Sequence, residues 1–191
     1  MKNISIFCGS SSGNEGVFVD QAAQLGHEIA ERGYGLVYGG ARVGLMGAVA
    51  GGALSNGGKV IGVIPDFLKK KELELKDVSE MHVVDTMHER KALMNELSDG
   101  VIALPGGYGT LEELFEMLTW AQLALHKKPV GLLNVEGYYD ALIEMSSKMI
   151  DKGFLKEEYR ELLIVDDDID LLLNKMEDYI PPANDKWFET K

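Results

Sequence analysis

A single-domain, doubly wound α/β fold with a mainly parallel sheet and helices on both faces is predicted by three features of this sequence. Apolar runs of strand length alternate with longer segments whose apolar residues recur at helical spacing. Glycine-rich turns follow several of the apolar runs, and no internal repeat or linker divides the 191 residues. We therefore expect one Rossmann-like domain at residues 1–184, followed by a loose polar tail at residues 185–191.

The first half of the chain predicts three buried strands and two helices. Apolar runs at residues 3–8, 35–38 and 59–64 have strand length, and a proline ends the third run. A helical pattern after the first strand ends at Gly33, because glycine readily adopts the left-handed conformation common after a helix C-terminus. A helix rich in small residues follows the second strand and runs to Leu54. The charged residues that follow the third strand are expected to be irregular.

The second half continues the alternation of strands and helices. Residues 85–97 predict a helix, and the helix at residues 137–150 is expected to turn Tyr138, Leu142, Met145 and Met149 inward. The acidic run after the last strand is interpreted as a loop that leads into a helix N-terminus. Strands are expected at residues 81–84 (an edge strand), 99–104, 128–134 and 162–165.

Residues 104–113 (LPGGYGTLEE) have the pattern of a strand end, a glycine turn and a helix start. The first turn of a helix has unpaired N–H groups, and glycines let a ligand approach them, so this turn predicts a site for an anion such as a phosphate. The alternative is structural, because Thr110 and Glu113 have the spacing of a capping box. Glu112 and Glu113 oppose anion binding, so a functional Glu113 is expected to face a neutral or developing-positive part of the ligand.

Two further glycine-rich loops follow predicted strands, at residues 9–13 and 39–47. Ligands of open parallel sheets bind at the carboxyl ends of the strands, which makes Ser10, Gly39 and Gly40 weaker candidates for ligand contacts. Each loop is equally compatible with an ordinary turn. The dinucleotide pattern G-x-G-x-x-G is absent and no Walker A loop is present, so NAD and ATP have no motif support.

Arg90 and Lys91 fall within the first two turns of a predicted helix, where cations oppose the helix dipole. Residues that contradict a local preference are candidates for function. The alternative is that both are solvent-exposed, as we expect for the lysine triplet at residues 69–71. Thr86 and Glu89 at the start of the same helix also have capping-box spacing.

The composition restricts both the partners and the compartment. A formal charge of −12 repels nucleic-acid backbones and anionic membranes but still permits a small phosphate ester. The only cysteine, Cys8, agrees with a reducing compartment, and no 18-residue apolar span is present. We expect a cytoplasmic protein without a membrane or nucleic-acid partner. Zincin and calcium-loop patterns each lack a required residue, so we expect no metal and no cofactor.

Six strings occur in order between residues 4 and 154: FCGSSSG (7–13), YGG followed by GLMG (38–47), GVIP (62–65), MHERK (87–91), PGGYGTLEE (105–113), and WAQL with KPVGLLN (120–134). In register and order they resemble the LOG, or "Lonely guy", family of cytokinin riboside 5′-monophosphate phosphoribohydrolases. The resemblance implies a domain that binds a nucleoside monophosphate and hydrolyses the N-glycosidic bond of N6-modified AMP, with AMP as a further candidate substrate. It does not determine which base is preferred.

The resemblance also assigns roles to individual residues. It implies that Arg90 and Glu113 are catalytic, and a carboxylate suits a reaction that builds oxocarbenium character on the ribose. It implies substrate contacts from Glu72, Arg90, Lys91 and Thr119, and from the backbone of Gly107, Tyr108, Gly109, Thr110, Leu111, Glu112 and Glu113.

The same resemblance implies a homodimer with substrate contacts near the interface. Residues 111–125 carry apolar side chains on several helical faces, although a helix packed on both sides within one subunit has the same pattern. Two other functions stay open at this point. One is a non-catalytic carrier of a nucleotide or of molybdenum cofactor. The other is a lysine decarboxylase, whose pyridoxal phosphate needs a Schiff-base lysine, and only Lys91 is near the predicted site.

Overall fold

The computed structural model describes residues 1–69, 74–75 and 77–182, and seven strands in these ranges form one sheet. The strands are β1 (Asn3–Phe7), β2 (Gly35–Tyr38), β3 (Val60–Pro65), β4 (Glu80–Val84), β5 (Gly100–Ala103), β6 (Val130–Leu133) and β7 (Leu163–Asp166). Their order across the sheet is β4-β3-β2-β1-β5-β6-β7, and every neighbouring pair is parallel.

Helices cover both faces of the sheet, as predicted. They are α1 (Gly16–Glu31), α2 (Gly44–Ser55), α3 (Asp66–Lys69), α4 (Met87–Leu97), α5 (Tyr108–Gln122), α6 (Asp140–Asp151) and α7 (Ile169–Glu177). Buried residues of α1, α2 and α7 share one apolar core with one face of the sheet. Residues of α4, α5 and α6 pack in a second core on the opposite face. The doubly wound α/β fold class is therefore confirmed.

The strand order reverses between β1 and β5, so the chain leaves these two neighbours toward opposite faces of the sheet. Such a switch point opens a crevice at the carboxyl ends of the strands. The loops that follow β1 and β5 are tied together there, because the Gly9 N–H donates to the Pro105 carbonyl at 3.0 Å. Two of the three glycine loops noted in the sequence therefore meet at one edge of the sheet.

The predicted strands agree with the structure to within two residues at each end. Pro65 is the last residue of β3 rather than the first residue after it, and the edge strand β4 is present with partly exposed side chains. Asp66–Lys69 forms a short helix, where an irregular segment was predicted. The predicted tail at 185–191 and the domain boundary at 184 lie outside the described residues.

The prediction for the helix after β6 was partly wrong. A short 3₁₀ turn (Val135–Gly137) comes first and α6 begins only at Asp140, so Tyr138 precedes the helix and is 47% exposed. Met145 lies on the outer face of α6 and is 50% exposed. Leu142 packs against the second core, as predicted. The observed helix starts later than predicted because the 3₁₀ turn includes residues that the apolar periodicity assigns to the helix.

The acidic run after β7 leads into a helix, as interpreted from the sequence. The Asp168 carboxylate caps α7 by accepting a hydrogen bond from the Leu171 N–H at 2.9 Å. Among the described helices, none combines the length and the apolar character needed to cross a bilayer.

Candidate active site

A cavity of about 260 Å³ opens at the carboxyl ends of β1, β2 and β5, and we refer to it as the crevice. Seven of the predicted site residues line it: Ser10, Gly39, Arg90, Gly107, Gly109, Thr110 and Glu113. They come from the loops after β1 and β2, from α4 and from the start of α5. The tertiary structure thus brings together residues that are up to 103 positions apart in the chain.

The start of α5 presents backbone donors to the crevice. The helix begins at Tyr108 with Gly107 as its N-cap, and no described side chain caps it. The first backbone bond into the helix runs from the Leu111 N–H to the Gly107 carbonyl at 3.1 Å. The N–H groups before Leu111 are those that an α-helix leaves without an internal partner. They form a ready anion site, which the helix dipole reinforces.

The capping-box interpretation of Thr110 and Glu113 is wrong. Thr110 lies inside the first turn of α5, three positions after the N-cap, and is buried. Its hydroxyl lies beside Gly106, where an added Cβ would overlap it. Glu113 is therefore in the second turn, where a side chain cannot reach back to an N-cap N–H in the capping-box manner. The structure leaves the Glu113 carboxyl facing the crevice.

Glu113 has an unusual electrostatic environment for a carboxyl group. Burial raises its pKa from 4.5 to about 7, against the opposing effect of the positive charge on Arg90, while the nearby carboxyl of Glu112 raises the pKa further. A carboxyl with a pKa near neutrality can exchange a proton in either direction at physiological pH. A perturbed pKa in a crevice beside a helix N-terminus is typical of an active site.

Arg90 is buried with few partners. It is 7% exposed, its Nη2 donates to the Gly39 carbonyl at 3.3 Å, and its Nε has no hydrogen-bond partner among the described residues. Among the described residues, no carboxylate oxygen lies within 4.0 Å of a guanidinium nitrogen of Arg90. Gly39 has a steric role here, because an added Cβ would overlap the Arg90 Nη2. The guanidinium group thus faces the crevice with unused donors, which suits recognition of an anion.

Lys91 is equally buried, but it lies on a different side of α4. Its ammonium group forms ion pairs with Glu112 at 2.5 Å and Glu116 at 3.1 Å, and we call these three residues the charged cluster. Burial lowers the pKa of Lys91, but the hydrogen bonds to the two carboxylates raise it by more. The alternative that Arg90 and Lys91 are solvent-exposed is therefore wrong for both. Lys91 is not among the described residues that line the crevice.

Three further predicted contacts in the described part of the chain, Tyr108, Leu111 and Gly40, do not line the crevice. Tyr108 is 95% exposed, whereas Leu111 packs against the second core. Gly40 has a φ of +80° and packs against Ile64, so its backbone conformation accounts for the glycine. Glu72 lies outside the described residues.

Thr119 lies in a different cavity. It is exposed on α5, and its hydroxyl donates to the Phe115 carbonyl at 2.7 Å. It lines an apolar cavity of about 470 Å³ between α5, α6 and the turn Glu157–Leu162, which we call the apolar groove. Within one chain, the structure does not bring Thr119 together with Glu113.

An apolar wall of the crevice was not recognised from the sequence. Met46, Leu68, Met87 and Met94 line one side of the cavity. Met87 and Met94 both belong to the helix predicted at residues 85–97, and Met94 also packs in the second core. The signal was therefore present, but helical periodicity cannot distinguish a side chain in the core from one in a cavity wall.

Comparison with known proteins agrees with these features. Residues 46–176 match the model of a protein family described as "Possible lysine decarboxylase". The chain is 52% identical over 176 residues to a protein of Oryza sativa subsp. japonica named "Probable cytokinin riboside 5'-monophosphate phosphoribohydrolase LOGL1", with 92% of this chain and 79% of the relative aligned. It is 46% identical over 184 residues to "Cytokinin riboside 5'-monophosphate phosphoribohydrolase LOG2" of Arabidopsis thaliana, with 96% and 86% aligned.

Among solved structures, the molybdenum cofactor binding protein of Rippkaea orientalis has a TM-score of 0.69 at 24% identity, covering 93% of this chain and 97% of that one. That similarity extends to the fold alone. The two plant relatives, in contrast, share about half of their aligned residues with this chain over nearly its whole length. Together with the family model, which spans more than half of the residues, they establish that the chain belongs to the LOG family.

Proposed function

We propose that this chain is a phosphoribohydrolase that cleaves the N-glycosidic bond of N6-modified AMP, a cytokinin riboside 5′-monophosphate, and of AMP itself. The products are the free base and ribose 5-phosphate. The names of the plant relatives, at 46% to 52% identity, support the reaction class. The observation that carries the proposal is the partly buried Glu113, which lies beside Arg90 and the free N-terminus of α5 in one crevice.

The phosphate of the substrate is expected to bind at the start of α5. The N–H groups of residues 108–110 and the helix dipole favour an anion there, and Gly107 and Gly109 permit close approach. Arg90, which belongs to α4, adds a fixed positive charge to the lining of the crevice. These local donors outweigh the net charge of −12, because they act at hydrogen-bond distance whereas surface charges are screened by salt.

Glu113 is expected to act on the sugar. When the C1′–N9 bond breaks, its electron pair leaves with the base and positive charge develops on the ribose ring. The ionised Glu113 carboxylate stabilises that charge, and it can accept a proton from the water whose oxygen bonds to C1′. The released base takes up a proton, so one water is consumed for each bond cleaved. The positive charge of Arg90 opposes the effect of burial and thereby keeps part of Glu113 ionised near pH 7.

The lysine decarboxylase function is disfavoured by the environment of Lys91. A Schiff-base lysine must be available as a neutral amine. Lys91 is instead held as an ammonium by Glu112 and Glu116, which raise its pKa. The carrier function makes a different prediction from the hydrolase, namely that a nucleotide binds without release of its base.

We also propose that the chain forms a cytoplasmic homodimer through the apolar groove. Phe154 is 88% exposed and lines the groove, so an exposed aromatic ring is continuous with an apolar concave surface, which is the kind of patch that marks a protein–protein contact. Thr119 also lines this groove. In the proposed dimer it therefore contacts a substrate bound by the partner subunit, not one in its own crevice. Light scattering is expected to give the mass of two chains, and of one chain for Phe154→Glu. A monomeric parent protein would contradict the proposal.

The function is tested by incubating the purified protein with AMP and, separately, with N6-isopentenyl-AMP and separating the products by chromatography. We expect free base from the parent protein and little from Glu113→Gln. The Glu116→Gln variant is the matched control, because it removes the same charge from the same helix but outside the crevice. Binding of either nucleotide without release of base would reject the hydrolase and favour the carrier.

A further inference from the structure

The loop that leads into α5 has three consecutive carbonyl groups, and each accepts a hydrogen bond from outside the loop. The Leu104 carbonyl accepts from the Tyr139 hydroxyl at 2.6 Å, and the Pro105 carbonyl accepts from the Gly9 N–H at 3.0 Å. The Gly106 carbonyl accepts from the Tyr138 hydroxyl at 2.7 Å. This loop is therefore oriented by donors from two other segments of the chain.

The two tyrosines come from a tight turn after β6. Glu136 and Gly137 both have left-handed φ values, of 50° and 69°, which is uncommon for a glutamate. The side chain of Asn134 bridges the turn, because its Oδ1 accepts from the Tyr139 N–H at 2.7 Å and its Nδ2 donates to Asp140 at 2.8 Å. A strained backbone that is held by side-chain bonds is a common feature of functional sites.

The two tyrosines differ in their surroundings. Tyr139 is buried in the second core, so its ring has an obvious packing role. Tyr138 is half exposed and lies in the wall of a cavity of about 350 Å³ that adjoins the crevice through Gly9, Ser10 and Gly107. The Tyr138 ring meets Tyr139 edge to face at 4.8 Å, which fixes the direction of its hydroxyl.

The bond to Gly106 has a direct consequence for the crevice. The peptide between Gly106 and Gly107 is planar and trans, so its carbonyl and its N–H point in opposite directions. A hydroxyl that holds the Gly106 oxygen therefore fixes the direction of the Gly107 N–H and of the chain that enters α5. Gly107 lines the crevice and is the N-cap of that helix.

We propose that Tyr138 is a positioning residue that aligns the N–H groups at the start of α5 for the phosphate of the ligand, an inference that rests on the proposed function of the crevice. Tyr138 acts through Gly106 and does not contact the reacting atoms. The proposal predicts a selective loss: Tyr138→Phe weakens recognition of the phosphate but leaves recognition of the phosphate-free part of the ligand unchanged.

The experiment measures the dissociation constants of ribose 5-phosphate and of adenosine by calorimetry for the parent protein and for Tyr138→Phe. Tyr34→Phe is the matched control, because it also removes one hydroxyl with a side-chain partner, Glu177, on α7. We expect about tenfold weaker binding of ribose 5-phosphate to Tyr138→Phe, the effect of one well-placed hydrogen bond. Adenosine binding is expected to be unchanged, and Tyr34→Phe is expected to match the parent protein with both ligands.

Three results would overturn the inference. They are unchanged binding of ribose 5-phosphate to Tyr138→Phe, an equal loss for adenosine and ribose 5-phosphate, and a parent protein that does not bind ribose 5-phosphate. A parent protein that releases no base from AMP would reject the proposed hydrolase but would leave the binding comparison intact. Release of base together with unchanged phosphate binding to Tyr138→Phe would retain the hydrolase and reject the role of Tyr138.

Discussion

The crevice and the charged cluster share two helices, α4 and α5, and take their charged residues from adjacent positions in the sequence. The charges of the cluster are paired, whereas those of the crevice are not. Arg90 and Lys91 on α4 are each 7% exposed. Lys91 has two carboxylates within 3.1 Å, whereas Arg90 has none within 4.0 Å among the described residues. Glu112 pairs with Lys91, while its neighbour Glu113 faces the crevice with its pKa raised by burial to about 7.

The comparison distinguishes a structural charge from a functional one. In the charged cluster each group has its partner in the folded chain, so the electrostatic free energy already contributes to the packing of α4 on α5. In the crevice the guanidinium and carboxyl groups are desolvated without a close partner, which costs stability. Their interaction free energy is therefore available to a ligand, as is usual for active sites.

The largest expected difference between the two regions is in turnover. Glu113→Gln keeps the shape of the side chain but removes its negative charge, so we expect at least about a 100-fold loss in the rate of base release, the scale of one strong electrostatic contribution. Glu116→Gln is expected to keep most of the rate. The measurement is the initial rate of base release with both variants. Equal losses of rate would contradict the distinction between the crevice and the charged cluster.

The second difference concerns the dependence of stability on pH. The pKa of Glu113 is raised in the folded state, so this group favours folding below about pH 4.5, and its contribution is lost as the pH rises through 7. Over that window the parent protein is expected to lose up to about 3 kcal/mol relative to Glu113→Gln. Urea unfolding of both proteins at pH 5 and pH 8 measures this, and a constant difference between them would contradict it.

The third difference concerns the two cations. Lys91→Met leaves two carboxylates beside each other without a cation, so the free energy of unfolding is expected to fall by about 1–3 kcal/mol. Arg90→Met removes a buried charge that has no carboxylate partner among the described residues, so this variant is expected to be at least as stable as the parent protein. Urea midpoints of the two variants give the comparison, which would fail if Arg90→Met were the less stable.

The smallest effect is expected within the charged cluster itself. Glu116→Gln removes one of the two carboxylates at Lys91 and leaves Glu112 in place. The expected cost is about 0.5–1 kcal/mol, the scale of a partly exposed ion pair, and it should decrease in high salt. Thermal unfolding at low and high ionic strength measures this loss of stability. A loss larger than that of Lys91→Met would contradict the pairing of Lys91 with both carboxylates.

Two T-x-x-E patterns show where prediction from sequence reaches its limit. At the start of α4, the Thr86 hydroxyl accepts from the Glu89 N–H at 3.1 Å, so the predicted N-cap is confirmed. At the start of α5 the same pattern lies inside the helix, because the helix begins at Tyr108 instead of after Thr110. Local spacing cannot distinguish these cases, since the first residue of a helix depends on how the preceding loop is held.

The sequence by itself determined the positions of the strands, the doubly wound α/β fold class with its mainly parallel sheet, and the family. Strand length and helical periodicity are local properties, so β2 was predicted at its observed bounds. The family motifs are also contiguous strings, and they identified Arg90 and Glu113 as candidates that do lie in one crevice.

Only the tertiary structure decided what each charged residue does. Arg90 and Lys91 have the same local signal, and their difference arises because α4 packs against α5 so that one faces the crevice and the other faces Glu112 and Glu116. The hydroxyl of Tyr138 meets the carbonyl of Gly106 across 32 positions of sequence. Burial, ion pairing and pKa depend on contacts between distant segments, and no local pattern in the chain encodes those contacts.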